Sequence, residues 1–281
     1  MVAKPYKEAM LHQKQIVRKR ALLAAEILLV AALLSLAIAI FRQTIAGNRI
    51  RAEEQAATEA MQVISAAVPE EPAAAAEAPQ TAPQIQPEIS ALMDENPDAV
   101  GLLHFEGDRT LYVCQTFDNS YYMSHRFDGS EDPAGMIYMD WRDSLWPRSD
   151  NLILYGHNMR DGSRFGTLRR FEQKSYLLEH PVFQLVELYE TVDYVPFAIF
   201  HTTVIEDDPE YFAFDQTDFA DDDAFRNYVA QVKARSVLDI PIDAIPGDRL
   251  LTLATCYSDL ERGRLVIVCR EVKAGENFKR N

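Results

Sequence analysis

Cysteine is scarce in this chain: Cys114, Cys256 and Cys269 are the only three in 281 residues. They are too few and too far apart for a disulfide framework, and no CxxC pair offers a structural zinc site. A thiol with a chemical task is the remaining use for one of them. Basic residues are also outnumbered, 28 Lys+Arg against 43 Asp+Glu, for a net charge of −15. A surface of that sign repels phosphate, which argues against nucleic acid as a partner. No unit recurs at the period of about 20 to 50 residues that marks propellers and solenoids. What is present suffices for a core: 48% of residues are hydrophobic and 10% aromatic, which fits one ordered domain with appendages.

The appendages come first. Residues 1–20 carry six Lys or Arg against Glu8 alone. Ala21 to Phe41 follows, apolar apart from Glu26 and Ser35. At about 1.5 Å per residue that run spans roughly the 30 Å hydrocarbon core of a bilayer. The basic flank predicts a single transmembrane helix with its N-terminus in the cytoplasm and the remainder outside. The competing reading, a cleaved signal peptide, normally has a shorter apolar region of about 7 to 15 residues. Residues 42–96 then turn to Ala, Glu, Gln and Pro, as in PEEPAAAAEAPQTAPQIQPE (69–88). This composition lacks a core period and predicts a linker, extended where proline is densest.

The rest reads mostly as strands. Leu111–Cys114, Gly135–Met139, Leu152–Tyr155, Val182–Leu188, Tyr194–Thr203, Leu250–Thr255 and Leu265–Cys269 are short, rich in β-branched or aromatic residues, and bounded by Gly, Asp, Asn or Pro. One helix is expected at Asp221–Arg235, where Phe225, Tyr228, Val229 and Val232 share a face and three aspartates open the first turn. A shorter helical turn is expected at Phe165–Phe171. The fold class this predicts is mostly β, a closed or nearly closed barrel with inserted helices.

Chemistry concentrates in two segments. In LLTLATCYSDLERGRLVIVCREV (250–272) two strands flank a connection from Tyr257 to Gly263. Alternation puts Thr252, Ala254 and Cys256 on one face, and an antiparallel hairpin brings Arg264 close to Cys256. A guanidinium there would favour a thiolate or a developing oxyanion, although Arg264 could instead pair with Asp259 or Glu261 on the surface. The base is expected at His157 in NLILYGHNMRDGSRFG (151–166), at a strand end after Gly156. His104 and His201 lie in apolar strand patterns, and His125 and His180 in polar loops. Cys114 and Cys269 read as small buried hydrophobes.

YGHNMRDGSRFGTL, and LTLATC followed eight residues later by RLVIV, resemble the two signature segments of sortases, the membrane-anchored cysteine transpeptidases of Gram-positive surfaces. NPDAVGLLHFEG, FDNSYYMSHRFDGSEDPAGMIYMDW (117–141) and the helix before the final hairpin are similar to class B in particular. The match runs from about Pro97 to Val272. The resemblance implies a sortase-like closed β-barrel preceded by a single transmembrane helix. It implies a cytoplasmic tail (1–20), an anchor (21–41), a linker (42–96) and an extracellular catalytic domain (97–281). It further implies Cys256 as nucleophile, His157 as general acid/base and Arg264 as stabiliser of substrate and oxyanion, with Asn119 and Tyr121 near the peptide groove; Thr255, beside the cysteine, is a further expected substrate-binding residue. Many class B relatives have Ser where this chain has Ala254, so any hydroxyl contact at that position is absent. The implied partners are secreted proteins bearing a C-terminal sorting signal, cleaved after Thr, and an amine of peptidoglycan precursor or a pilin lysine, at the cytoplasmic membrane. No metal, calcium or other cofactor is implied. A catalytically silent peptide-binding barrel is the alternative from another class.

Overall fold

The computed structural model describes residues 83–106 and 109–278, together with scattered helical positions between 35 and 55. Residues 1–50 and 51–281 form two units. In the first, the described positions are helical and exposed. The basic tail, most of the 21–41 run and most of the linker before residue 83 lie outside the described residues. Among the described residues, no helix is long and apolar enough to cross a membrane.

In the second unit, eight strands close into a barrel. They are β1 (Ala99–His104), β2 (Thr110–Cys114), β3 (Ile137–Met139), β4 (Asn151–Tyr155), β5 (Phe183–Val186), β6 (Thr191–Thr203), β7 (Leu250–Tyr257) and β8 (Gly263–Glu271). The order around the barrel is β1-β2-β3-β4-β7-β8-β6-β5, with β5 pairing back to β1. The β2–β3 and β4–β7 pairs are parallel and the others antiparallel. The expected closed barrel is therefore present, and closure leaves no sheet edge to protect.

Alternation along the central strands divides their apolar residues between two cores. Leu152, Leu154, Leu251, Leu253, Leu265 and Ile267 fill one with Phe105, Phe165 and Phe183. Ile153, Ala254, Val266 and Val268 point the other way and meet Phe212, Phe225 and Tyr228. Central strands buried on both faces read as continuous apolar runs, which is why LLTLA and LVIV show no polar alternation. The second core is roofed by the helix α3 (Asp222–Arg235), whose Asp221 caps the Ala224 N–H at 2.8 Å and whose Phe225, Tyr228, Val229 and Val232 are buried as the spacing predicts.

Two shorter helices complete the fold. The expected turn near 165–171 is a 3-10 turn at Leu168–Glu172, followed by α2 (Lys174–Glu179). The other, α1 (Pro87–Glu95), corrects the expectation of an extended linker as far as residue 96. Its nine residues fall short of the roughly 12 to 15 that an isolated helix needs. Burial of Ile89 and Leu92 against Ala99, Leu102, Tyr122 and Val186 supplies what propensity lacks, and Pro87 sits in the first turn, where a missing N–H costs nothing.

Candidate active site

The parallel pairing of β4 and β7 brings two strand ends together. Tyr155 lies opposite Ala254, so His157 and Cys256, each two residues further along, emerge on the same face. In the antiparallel β7–β8 pair, Cys256 lies directly opposite Arg264. The three residues picked out in the sequence thus converge, on the face covered by α3 and the segment before it. Cys114 and Cys269 are buried, whereas Cys256 is exposed.

Glycine permits the close approaches that set this geometry. A Cβ on Gly156 would lie 2.4 Å from Ile137 Cδ1 and 2.8 Å from Phe165 Cδ2, so only glycine lets the chain turn there into His157. Gly135 has φ of +52°, and a Cβ on it would lie 2.3 Å from the Tyr122 carbonyl oxygen. That close approach seats the 3-10 turn Tyr121–Met123, and the Met123 carbonyl then accepts from His157 Nε2 at 2.8 Å. A carbonyl can only accept, so Nε2 keeps its proton and Nδ1 is the nitrogen left to exchange one with the thiol.

The electrostatics of the pair run in matching directions. A hydrogen bond from His157 lowers the thiol pKa of Cys256, assisted by the Arg264 charge and opposed by burial. The same hydrogen bond raises the imidazole pKa of His157, opposed by burial and assisted by the Met123 carbonyl. Both shifts favour a thiolate–imidazolium pair, the reactive form of a cysteine nucleophile. Arg264 stays beside them, its Nη1 donating to the Gly263 carbonyl at 3.0 Å. The alternative surface pairing with Asp259 is taken by Arg169, which meets that carboxylate at 2.8 Å. Asn158 also donates to the Cys256 carbonyl at 3.0 Å, tying the two strand ends.

Cys256, His157 and Arg264 open into a cleft of about 420 Å³. Its walls include Asn119, Tyr138, Tyr155, Glu206, Phe214 and Asp215. Of the three expected substrate-binding residues, Asn119 is at the cleft. Thr255 borders it, but is buried with its hydroxyl donated to the Gly156 carbonyl at 2.7 Å, so it ties the strand carrying Cys256 to the turn carrying His157. Alternation already aims it away from Cys256. Tyr121 is not part of the lining: its ring stacks on His125 with centroids 4.0 Å apart.

Sequence reasoning missed Met123, Tyr138, Tyr155, Glu206 and Asp215. Tyr138 and Tyr155 were legible only as strand residues, although they share the outward face with Ala254. Burial pushes the Tyr138 hydroxyl up to about 12, so it stays a neutral donor facing the cleft. Among the described residues no cluster of His, Cys, Asp and Glu could hold a metal ion.

No family model matches the chain. It is 33% identical over 187 residues to sortase B of Listeria monocytogenes, covering 66% of this chain and 74% of that protein. It is 28% identical over 193 residues to sortase B of Staphylococcus aureus, covering 67% and 76%. Among solved structures, the Staphylococcus aureus sortase B–substrate complex matches with a TM-score of 0.69 at 24% identity, over 81% of this chain and 98% of that one. Sortase B from B. anthracis matches with a TM-score of 0.60 at 29% identity, over 67% and 86%.

Proposed function

Since the chain belongs to the class B sortases and is a cysteine transpeptidase, we propose that Cys256 is its nucleophile, His157 its general acid/base and Arg264 its oxyanion and substrate stabiliser. The observation that carries this assignment is the convergence of the three at one cleft, His157 two residues past the Tyr155–Ala254 pair on the strand beside Cys256, and Arg264 opposite Cys256 in register. The Cys256 thiolate attacks the Thr carbonyl carbon of a C-terminal sorting motif on a secreted protein, and the tetrahedral oxyanion is held by Arg264. His157 Nδ1 delivers its proton to the departing amine as the C–N bond breaks, leaving a thioester. An amine of peptidoglycan precursor then attacks the thioester, His157 takes up its proton, and the Cys256 thiolate departs. The carboxylate of Glu206 at the cleft suits a cationic amine approaching it.

The apolar run 21–41 serves as a single-pass anchor with the N-terminus in the cytoplasm and the catalytic domain outside. The Pro-rich linker holds that domain near the membrane, where substrates tethered by their own hydrophobic tails are at raised effective concentration.

Incubation with NPxTN-like, SPxTG-like and LPxTG-like peptides, followed by intact mass, tests the assignment. One motif class should leave an acyl adduct on the wild type and none on Cys256→Ala. A thioester that persists in Cys256→Ala would move the nucleophile elsewhere.

A further inference from the structure

Beneath the cleft lies a buried carboxylate that the chemistry at Cys256 does not use. Asp140 follows β3, its backbone N–H donating to the Ile153 carbonyl at 2.9 Å, and its side chain is fully buried. Five donors converge on its two oxygens. Oδ1 accepts from the Arg142 backbone N–H at 3.0 Å and from Arg142 Nε at 2.9 Å. Oδ2 accepts from Arg142 Nη2 at 2.8 Å, Asn119 Nδ2 at 3.1 Å and the Tyr155 hydroxyl at 2.9 Å. Burial would raise the carboxyl pKa, but the hydrogen bonds from Arg142 and Tyr155 outweigh it and hold it below the usual range.

Three of the groups gathered here belong to the cleft wall, and they come from three separate segments. Asn119 lies after β2 and Tyr155 ends β4. Asp215, between β6 and α3, is reached through Arg142, whose Nη2 also donates to it at 2.8 Å. Asn119 is fixed a second time, because its Oδ1 accepts the Trp141 N–H at 2.9 Å. Cys256, His157 and Arg264 are held by other means, the β7–β8 register and the Met123 carbonyl.

We propose that Asp140 is the positioning residue that sets the shape of the substrate cleft, by holding Asn119, Tyr155 and, through Arg142, Asp215 in one arrangement. It touches no reacting atom and acts only through those side chains. The proposal rests on the reading that this cleft holds the sorting peptide. Asparagine cannot replace Asp140: whichever oxygen becomes an NH₂ group then faces at least two donors, and Arg142 loses its charge partner.

The test uses the full-length protein in detergent, as wild type, Asp140→Asn and Arg142→Gln; the second variant cuts only the arm to Asp215, from a partly exposed side chain. Four quantities are read: KM and kcat for thioester formation, the rate of Cys256 alkylation by iodoacetamide, and amide hydrogen exchange. Both variants should raise KM by about tenfold with kcat within about threefold, the pattern of lost binding rather than lost chemistry. Exchange should quicken around 213–217 in both variants and around 117–121 in Asp140→Asn, and alkylation of Cys256 should be unchanged. The proposal is overturned if KM and exchange in those segments stay at wild-type values in the folded variants. It is equally overturned if alkylation and kcat change along with KM, which would make Asp140 a support of the whole barrel. Exchange needs no peptide, so it decides the role of Asp140 even if no peptide acylates the wild type, an outcome that would count against the proposed substrate alone.

Discussion

Replacing Asp143 by asparagine should stabilise the protein by an amount that grows with pH. The Asp143 side chain is buried, with Oδ2 accepting the Ile153 N–H at 2.7 Å and Oδ1 lacking any partner among the described residues. Burial is the chief cause that pushes its carboxyl up to about 8; the Asp140 charge adds to the rise, while the Ile153 N–H, Arg148 and Arg142 oppose it. In the unfolded chain the same carboxyl loses its proton near about 3.9. Between those values the folded protein retains a proton that the unfolded chain has released. The group's favourable contribution is therefore complete below about pH 4 and declines as pH rises, by about 1.4 kcal/mol per unit, until the folded carboxyl ionises. From pH 5 to pH 7 the loss is about 3 kcal/mol. Asparagine has no such proton, and its amide oxygen can still accept the Ile153 N–H. The stability difference between Asp143→Asn and wild type should widen by that amount from pH 5 to pH 7 and level off above about pH 8. Urea unfolding of both proteins across this range reads it, since the other titrating groups cancel in the difference. A difference that stays flat from pH 5 to pH 7 would mean that Asp143 is ionised in the fold, and would refute the reasoning from its burial.

Other expectations follow from the same structure. His157→Ala removes the hydrogen bond that lowers the Cys256 pKa, so the midpoint of the pH–alkylation curve should move up and the rate at neutral pH fall by about tenfold, the low end for a charged hydrogen bond because the thiol is exposed; an unmoved midpoint would dissociate the pair. Arg264→Ala should slow thioester formation by about a hundredfold while leaving thermal unfolding close to wild type, and an unchanged rate would place oxyanion stabilisation elsewhere. Ile89→Ala empties a fully buried site under α1 and should cost about 2 to 4 kcal/mol; hydrogen exchange should quicken over 87–95 with Cys256 alkylation unaltered, whereas a loss near zero would make α1 dispensable.

The hairpin was legible in the sequence because short strands with one alternating phase leave little freedom. Once β7 ends at Tyr257 and β8 opens at Gly263, Cys256 and Arg264 must face each other. Helix α3 was legible because its four buried residues follow the helical period under an aspartate cap. Helix α1 was hidden by the composition around it, since two buried side chains in a Pro- and Ala-rich stretch give no period until a barrel is there to cover them. The Met123 carbonyl carries no side-chain signal at all, and it meets His157 because the β2–β3 and β3–β4 pairings lay the segment after β2 against the end of β4. Asn119 was found through family resemblance. Tyr121 came from the same source but stacks on His125, and Thr255, expected to bind substrate, is turned inward by strand alternation. The cleft wall at Glu206 and Asp215 sits in an acidic, aperiodic stretch whose position depends on where α3 docks.

The transfer step tests most directly what sets a transpeptidase apart from a hydrolase or a silent binder. The full-length protein would be acylated with whichever sorting peptide leaves an adduct on Cys256, then given a peptidoglycan-derived amine, with enzyme and products followed by mass. The expected result is that the adduct disappears at a rate rising with amine concentration and that the acyl group appears joined to the amine. An adduct that decays only to the hydrolysed peptide, at a rate indifferent to amine, would contradict transpeptidation at this site.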